Sequence, residues 1–522
     1  MSRPARTLAD LARLHATHRS DHPALLCEDR VVTYADLYRA SKRIAHELRA
    51  RGLRPGDRIA YLGKDSEHYY ELLFGAAKCG VVLVPVNWRL TAPEIEHVLV
   101  DSGAVLLFAD TDAEPVAHEL AARLDQDLTV VPLDRDGAPG AGFVDWAAAR
   151  PDTEIHHRAR PDDPVVQMYT SGTTGRPKGV VLAHRSFFAV RTALADGGLD
   201  WLDWRQEDRG LVGVPGFHVA GIWCTMQGLI AGAANVLMRA FHPADAAELI
   251  RRHEVTVASM VPSMLRQVIA LPDLDRDTFA SLRKIVYGGS PISESLLASC
   301  VEVFDCEFAQ VYGLTETGNT ALCLPPADHR AGGARLRAAG RPYPGFGVRI
   351  VDRDGAEVAQ GEVGEVLLRT PAAMLEYWNR PDATSDTLVD GWVHTGDAGF
   401  LDEDGYLFIH DRIKDMIIVD GENVYPAEIE NALTGHPSVA EAAAVGVPDP
   451  RWGEAVHAFV VATDGQQVTP ADLAGFLRGR LAPFKVPLRY EFVTALPRNP
   501  SGKILRRELR ERFWQGQYRA VS

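Results

Sequence analysis

A glycine- and hydroxyl-rich loop is the first stretch of this sequence whose residue types could do chemistry. "YTSGTTGRPKGV", residues 169–180, holds five hydroxyl-bearing side chains, three glycines and one lysine between two apolar runs. Glycines let backbone N–H groups approach an anion, hydroxyls donate hydrogen bonds, and a lysine adds positive charge. The loop therefore predicts a site for a phosphate-bearing ligand, with a plain flexible turn as the alternative.

The loop does not match the P-loop of nucleotide triphosphatases. That motif needs the order G-x-x-x-x-G-K-[ST] with a helix starting at the lysine. Here the order is Gly172-x-x-Gly175-x-x-Lys178, and the apolar, β-branched "VVLAH" follows. We therefore expect the loop to connect two strands.

Bulk composition narrows the class of protein. The 522 residues are 46% hydrophobic and 24% charged, as in soluble globular proteins, and the length predicts two to four folding units. A net charge of −15 argues against a nucleic-acid partner, and no apolar run is long enough to predict a transmembrane helix. Leu8, Leu11 and Leu14 repeat with a helical period, which favours an ordinary first helix over a transit peptide.

The cysteines indicate a reducing compartment. They are scattered without a C-x-x-C pair, which argues against a disulfide framework or a zinc site and favours a cytoplasmic protein. The six are Cys27, Cys79, Cys224, Cys300, Cys306 and Cys323.

Alternating helix and strand signals predict an α/β fold with mainly parallel sheets. Thr33 and Asp36 form a capping signal before a helical apolar face that Gly52 ends, and "VVLVPVN" (81–87) is typical of a buried strand. Further alternation continues to "KIVYGG" (284–289). Ligands of such sheets gather at the carboxyl ends of the strands.

The sequence texture changes twice towards the carboxyl end. After about residue 340, short strands joined by Gly and Asp turns predict a small β-rich subdomain, and beyond residue 415 the pattern is α+β. We predict a large amino-terminal domain (1–411, with the β-rich part at about 340–411), a linking segment (412–415) and a small carboxyl-terminal domain (416–522).

Five segments together resemble the acyl-adenylate-forming superfamily, in its acyl-CoA synthetase or fatty-acid–CoA ligase branch. Each is moderately specific, but their common order and spacing along residues 20–515 leave little room for chance. The segments are "YTSGTTGRPKGV" (169–180), "QVYGLTETG" (310–318), "GWVHTGDAG" (391–399), "DRIKDMIIVDGENVYPAEIE" (411–430) and "PRNPSGKI" (497–504).

The resemblance implies an ATP site whose parts come from all five segments. The residues that would hold the β- and γ-phosphates are Thr170, Ser171, Gly172, Thr173, Thr174, Gly175 and Lys178. The residues that would hold the rest of ATP and Mg²⁺ are Gly289, Ser290 and Tyr312 for adenine, Thr315 for the α-phosphate, Glu316 for Mg²⁺, and Asp397 with Arg412 for the ribose.

Lys503 would enter from the small domain and contact both the acid and the α-phosphate. Taken singly, Glu316 is typical of a helix start, Asp397 of a turn and Lys503 of a solvated charge. Only the presence of all five segments in one sequence favours the functional interpretation of these residues.

The implied reaction has two steps. The carboxylate of the acid attacks the α-phosphate of ATP and pyrophosphate leaves, which needs preorganised positive charge and no general base. A thiol, that of coenzyme A in this branch, then displaces AMP after the small domain rotates about Lys414 and brings Gly421 to the pantetheine. Many relatives have two glycines there, whereas this chain has Asp420 before Gly421.

The acyl pocket is expected beside "VPGFHVAGIWCTMQGL" (214–229). His218 resembles the family's gating residue, with a hydrogen-bonded core histidine as the alternative. Amino-acid-activating relatives carry an aspartate one place later, where this chain has Val219, so an apolar fatty or aromatic acid is favoured. The predicted lining is His218, Val219, Ala220, Trp223 and Val311.

Three functions follow as hypotheses. The leading one is an ATP-dependent carboxylic acid:CoA ligase that uses Mg²⁺ and coenzyme A. The second is a ligase that passes its acyl-AMP to a carrier protein, and the third is a non-catalytic nucleotide-binding regulator. The arginine-rich loop 330–341 could contact a membrane surface, with a solvated loop as the alternative. A homodimer is also possible, because dimers occur in families that the chain resembles.

Overall fold

The computed structural model of the protein describes residues 5–125, 127–133, 142–170, 177–272, 274, 276–419, 422–478, 480–498 and 504–514, without the side chains of Lys414 and Asn423. The first strands in these ranges are β1 (Pro23–Cys27), β2 (Arg30–Thr33), β3 (Arg58–Leu62), β4 (Val82–Val86), β5 (Leu106–Ala109), β6 (Thr129–Pro132), β7 (Pro164–Thr170), β8 (Lys178–Ala183), β9 (Arg209–Val212), β10 (Ala234–Leu237), β11 (Val257–Met260), β12 (Lys284–Gly288) and β13 (Glu307–Tyr312). The later strands are β14 (Leu322–Leu324), β15 (Arg341–Pro342), β16 (Gly347–Val351), β17 (Gly364–Arg369), β18 (Glu376–Tyr377), β19 (Leu388–Val389), β20 (Trp392–Leu401), β21 (Leu407–Arg412), β22 (Ile417–Val419), β23 (Glu422–Val424), β24 (Val439–Asp449), β25 (Gly453–Ala462) and β26 (Arg489–Phe492).

Helices cover the sheets along the whole chain. The first are α1 (Leu8–His18), α2 (Tyr34–Ala50), α3 (Glu67–Cys79), α4 (Ala92–Ser102), α5 (Glu114–Arg123), α6 (Phe143–Ala148), α7 (Arg185–Asp196) and α8 (Val219–Ala231). The others are α9 (Pro243–Arg252), α10 (Pro262–Ile269), α11 (Glu294–Phe304), α12 (Pro326–Ala331), α13 (Pro381–Thr387), α14 (Pro426–Thr434), α15 (Pro470–Leu477) and α16 (Arg506–Glu511).

Two large sheets form the body of the amino-terminal part. One has nine strands in the order β15-β14-β13-β12-β11-β9-β10-β1-β2, and the other has seven in the order β18-β8-β7-β4-β3-β5-β6. Their central pairs are parallel, while antiparallel pairs stand at the edges. All five residues of β4 are buried, as in a strand covered on both faces. The expected α/β fold with mainly parallel sheets is confirmed.

Two smaller sheets follow. The first is antiparallel, ordered β16-β17-β20-β19 with β21 on β20, and lies where the β-rich subdomain was expected. In the second, β22, β24 and β26 all pair with β25. A short 3-10 helix, Ile413–Asp415, joins the two sheets. The independent movement of the parts before and after it stays a prediction.

Local sequence signals set several element ends as expected. Thr33 caps α2 through a reciprocal pair with Asp36, and Thr469 caps α15 in the same way with Asp472. Pro426 occupies the first turn of α14, where its missing N–H costs nothing. The segment at residues 8–18 is an ordinary helix, α1, as predicted.

The arginines of the 330–341 loop have partners within the chain. Arg330 pairs with Glu307, Arg335 with Asp404 and Arg337 with Glu294, while the Arg341 guanidinium lies 4.8 Å from the Trp201 ring centre. These contacts pair the positive charges with side chains of the same chain. Membrane contact through this loop stays a prediction. Within the described ranges, none of the helices combines the length and the apolar character that crossing a membrane requires.

Candidate active site

The predicted phosphate loop closes a β-hairpin. β7 and β8 pair antiparallel, with Thr170 opposite Lys178, so the loop does connect two strands. The other predicted phosphate contacts, Ser171, Gly172, Thr173, Thr174 and Gly175, lie outside the described residues.

Tyr377 links two parts of the predicted ATP site. β18 pairs with β8, and this places the Lys178 ammonium 4.7 Å from the centre of the Tyr377 ring. The Tyr377 hydroxyl donates to Glu316 Oε1 at 2.7 Å. One side chain thus touches both the predicted phosphate lysine and the predicted Mg²⁺ carboxylate. No local pattern indicates a role for Tyr377, because nothing around "EYW" distinguishes it from a core aromatic.

A tight turn presents Thr315 and Glu316. Thr315–Thr317 form a 3-10 turn that is closed by Gly318 in the left-handed conformation (φ 72°). A Cβ on Gly318 would lie 2.4 Å from the Ala372 carbonyl oxygen, so only glycine fits. This close approach brings Glu316 against the segment that carries Tyr377.

Glu316 fits a magnesium ligand. Its Oε1 accepts from Tyr377, and across the described part of the chain its Oε2 accepts no hydrogen bond. A carboxylate oxygen is the donor that Mg²⁺ prefers, and one protein carboxylate suffices where substrate phosphates and waters supply the rest.

Asp397, Arg412 and Tyr312 meet in one buried cluster. Asp397 and Arg412 are register partners on β20 and β21, with Arg412 Nε 2.8 Å from Asp397 Oδ1. The Tyr312 hydroxyl donates to Asp397 Oδ2 at 2.5 Å, and a second Arg412 nitrogen donates to the Thr395 carbonyl at 2.6 Å. Burial and the Asp397 carboxylate hold the pKa of Tyr312 well above its ordinary value, so it stays a hydroxyl donor. The two residues that the sequence assigned to the ribose therefore lie together beside the predicted adenine tyrosine.

Replacing Asp397 with asparagine is expected to weaken both ATP binding and the fold. An amide can accept from Tyr312 but leaves the Arg412 charge unneutralised, which costs about 1–3 kcal/mol of unfolding free energy. The KM for ATP should rise by roughly tenfold to a hundredfold, since charge-assisted hydrogen bonds are worth about 1.5–3 kcal/mol. Denaturant unfolding and ATP-dependent pyrophosphate exchange measure the two effects.

Asp390→Asn is the matched control, because Asp390 lies exposed at a turn of the same sheet. An Asp397→Asn protein that matches this control in both measurements would contradict the assigned role.

The predicted adenine residues follow the neighbouring strand. Gly289 and Ser290 come directly after β12, whose last residue, Gly288, pairs with Val311 of β13. Gly289 is left-handed (φ 82°), which turns the chain at the carboxyl end of the strand. The carboxyl ends of two neighbouring strands of the nine-stranded sheet, β12 and β13, thus carry Gly289, Ser290 and Tyr312.

The predicted acyl wall is the start of α8. His218 is its N-cap, and Val219 and Ala220 are partly exposed, as is Val311, whereas Trp223 is fully buried in the main core. His218 Nε2 is buried and has no partner among the described residues. Burial, assisted by nearby Arg89, lowers the pKa of His218 to about 4, so its ring is neutral at neutral pH.

Asp65 and Tyr69 fix the loop that carries His218. The Gly216 N–H donates to both carboxylate oxygens of Asp65 at 2.9 Å, and the Tyr69 hydroxyl donates to the Gly216 carbonyl at 2.9 Å. Burial, opposed by the Gly216 N–H, raises the pKa of Asp65 to about 7. Sequence analysis missed both residues, which reach Gly216 across about 150 positions.

The predicted hinge lies among buried charges. Lys414 belongs to the 3-10 helix Ile413–Asp415, and its side chain is not described. Arg506 of α16 donates to both oxygens of Glu430 at 3.0 and 2.6 Å and lies 3.7 Å from Asp411. Burial, opposed by Arg506, raises the pKa of Asp411 to about 6.

Lys503 and Gly421 lie outside the described residues, but the ends of the Lys503 segment are placed. Arg498 forms a β-bridge with Ile504. Arg498 also lies 3.0 Å from Glu441 Oε2 on β24, and Arg266 of α10 lies 3.1 Å from Glu441 Oε1. Glu441 thus connects the base of the Lys503 segment to the amino-terminal part.

Comparison with known protein families identifies the chain. A family model described as "AMP-binding enzyme" matches residues 12–378, and one described as "AMP-binding enzyme C-terminal domain" matches residues 428–503. The chain belongs to the AMP-binding enzyme family. The acyl-adenylate-forming superfamily proposed from the sequence is thereby confirmed.

Relatives of this AMP-binding enzyme carry two kinds of name. It is 59% identical over 517 residues, 99% of this chain and 98% of the other, to the fatty acid–[acyl-carrier-protein] ligase ScoC of Streptomyces coeruleorubidus. It is 41% identical, over 92% of this chain and 94% of the other, to a feruloyl-CoA synthase of an Amycolatopsis species. ATP-bound MatB from Rhodopseudomonas palustris has the same fold, with a TM-score of 0.87, 30% identity and coverage of 97% and 99%.

These likenesses give the general activity of this AMP-binding enzyme. It is a ligase of the adenylate-forming family that activates acids with ATP, which weighs against a non-catalytic regulator. The family includes both CoA ligases and carrier-protein ligases, so membership alone does not fix the thiol acceptor.

Proposed function

We propose that this chain is a fatty acid–acyl-carrier-protein ligase. It activates a fatty acid as acyl-AMP and passes the acyl group to the phosphopantetheine thiol of a carrier protein. The observation that carries the proposal is the 59% identity to a ligase of that name along nearly the whole of both chains, against 41% to a CoA synthase. The sequence favoured coenzyme A as the thiol acceptor. The proposal instead takes the second hypothesis, in which the acceptor is a carrier protein.

The first step brings two anions together. Lys178 and the loop before it would hold the departing phosphates, while Asp397 and Arg412 would orient the ribose. Mg²⁺ held by Glu316 would neutralise charge that builds on the phosphates. Lys503 would pair with the attacking carboxylate and the α-phosphate, so that a carboxylate oxygen bonds to phosphorus as the bond to pyrophosphate breaks.

The acid would lie against the apolar start of α8. We assign His218, whose ring is neutral and whose buried Nε2 has no partner among the described residues, to closing the pocket over the acid. Val219, Ala220 and Val311 offer no carboxylate for a substrate ammonium, which supports a fatty or aromatic acid. Between a fatty and an aromatic acid we choose the fatty acid, because the relative at 59% identity is named as a fatty acid ligase.

The second step transfers the acyl group. The thiol sulfur bonds to the acyl carbonyl carbon, the bond from that carbon to the phosphate oxygen breaks, and AMP leaves while the thiol proton passes to solvent. The proposed rotation at Lys414 withdraws Lys503 and presents Gly421 to the pantetheine, so that one site serves both steps.

A competition between thiols tests the acceptor. Purified protein, ATP, Mg²⁺ and a panel of fatty and aromatic acids are incubated with either a holo-acyl carrier protein or CoA at equal thiol concentration. We expect acyl-carrier masses, with kcat/KM at least about tenfold above that for CoA, which corresponds to about 1.4 kcal/mol of transition-state binding. The apo-carrier, which lacks the thiol, is the control. A higher kcat/KM for CoA would overturn the proposed acceptor.

A further inference from the structure

Exposed bulky side chains are concentrated in one short segment. Ten large hydrophobic residues are exposed in the described part of the chain, and the seven that lie elsewhere are all valines. The other three are Phe484, Leu488 and Phe492, with exposed fractions of 37%, 61% and 42%. Three such residues within nine positions set this segment apart from the singly exposed valines, and exposed apolar side chains that are grouped together are typical of an interaction surface.

The same segment is locally basic. Residues 480–492, which we call the 480–492 surface, hold Arg480, Lys485 and Arg489 against one acid, Glu491, in a chain of net charge −15. Arg480 and Arg489 are exposed, and within the described ranges neither forms a salt bridge. Lys485 pairs with Glu428 at 2.7 Å.

The backbone of the surface is fixed by the sheet. β26 runs parallel to β25, and the Leu488 N–H extends this ladder by donating to the Val456 carbonyl at 3.0 Å. Leu488 directly precedes β26, and alternation along the strand places Arg489 and Phe492 on opposite faces, so that the exposed side chains flank the edge of the sheet from both sides. Their exposure is therefore a property of an ordered sheet edge.

The 480–492 surface lies along the same edge of β25 as β22, the strand that precedes Gly421 in the chain. β24 occupies one side of β25 along its length, so β22 and β26 share the other side. β22 meets β25 at Gly453 and β26 meets it from His457, four residues and about 13 Å further along. Gly421 follows β22 in the chain and is predicted to meet the pantetheine, so we expect the thiol to arrive near this edge of the sheet.

We propose that the 480–492 surface docks the acidic carrier protein that receives the acyl group; this rests on the proposed function. A carrier protein of net negative charge would be repelled at long range by a chain of net charge −15, and a local patch of opposite sign would orient their encounter. Arg480 and Arg489 supply that charge, and Leu488 with its phenylalanine neighbours supplies the apolar centre that a short-lived interface needs.

A double variant, Leu488→Ala with Arg489→Glu, tests the docking surface. We expect the KM for a holo-acyl carrier protein to rise by roughly tenfold or more, with kcat at saturation nearly unchanged. Free pantetheine has the thiol arm but no protein surface, so its turnover should not change. Pyrophosphate exchange should not change either, because the surface plays no part in acyl-AMP formation, and its retention shows that the variant folds.

The matched control is Val389→Ala with Arg353→Glu, which removes an exposed apolar group and an exposed arginine from the β-rich subdomain. This control should keep the wild-type KM for the carrier. A Leu488→Ala/Arg489→Glu protein with the wild-type KM for the carrier would overturn the docking surface alone. Wild-type protein that loads pantetheine or CoA but no carrier would overturn the proposed acceptor, and that arm is measured before any variant.

Discussion

Replacement of Lys503 by alanine is expected to slow acyl-AMP formation by about 10²–10³-fold or more, the usual loss when one preorganised charge contact to a transition state is removed. In the proposed first step its ammonium stands between the attacking carboxylate and the α-phosphate, where two anions must meet. Pyrophosphate exchange with a saturating acid measures this half-reaction. The variant should bind ATP nearly as well as the wild type, since the lysine acts mainly on the charge that develops during the reaction.

The second half-reaction makes the test specific. Thioester formation from pre-made acyl-AMP should be nearly unaffected in Lys503→Ala, because the proposed rotation has by then withdrawn the lysine. Arg507→Ala is a suitable control in the same part of the chain, since this exposed arginine pairs with Glu511 and has no assigned role in either half-reaction. Equal losses in the two half-reactions of Lys503→Ala would contradict a mechanism in which the small domain rotates between the two steps.

Glu316→Gln is expected to have the second largest effect. Glutamine keeps the size of the side chain and can still accept the Tyr377 hydroxyl, which lies 2.7 Å from Glu316 Oε1, but it loses the negative charge that favours Mg²⁺. We expect kcat of acyl-AMP formation to fall by about 10²–10³-fold, in line with the loss of a metal-borne charge contact. The Mg²⁺ concentration at half-maximal activity should also rise.

Tyr377→Phe separates the metal role from a packing role. It removes one hydrogen bond to Glu316 and leaves the carboxylate, so a loss of about tenfold is expected, with a smaller change in the Mg²⁺ requirement. If Tyr377→Phe lowers kcat of acyl-AMP formation as much as Glu316→Gln does, the carboxylate of Glu316 serves chiefly to hold the tyrosine. An unchanged Mg²⁺ requirement in Glu316→Gln would contradict the metal role.

Local patterns predicted those features that neighbouring residues decide. The Thr33–Asp36 capping pair, the buried run of β4 and the strands around the phosphate loop each depend on a few adjacent side chains, and all three occur as expected. The joining of Asp397 and Arg412 followed from the family resemblance, and the structure places them opposite each other on β20 and β21.

Contacts between distant positions were beyond the sequence. Tyr377 reaches Glu316 across 61 positions and Asp65 reaches Gly216 across 151, and neither pair leaves a periodic signal. A buried aspartate looks like any loop aspartate until the fold brings a backbone N–H to it. The arginines of the 330–341 loop show the converse, because a single sequence cannot reveal that Glu307, Asp404 and Glu294 neutralise three of them.

The bridge through Glu441 has a kinetic consequence. Arg266, Glu441 and Arg498 are 38%, 25% and 29% exposed, so each ion pair is worth about 1 kcal/mol or less. Under the proposed mechanism this contact breaks and re-forms once in every turnover. A contact of that strength changes how long the small domain stays over the adenylate by no more than about fivefold, since about 1.4 kcal/mol corresponds to tenfold. A stronger bond would favour activation and delay release, and a weaker one would do the reverse, so this contact tunes the balance between the two steps without determining it alone.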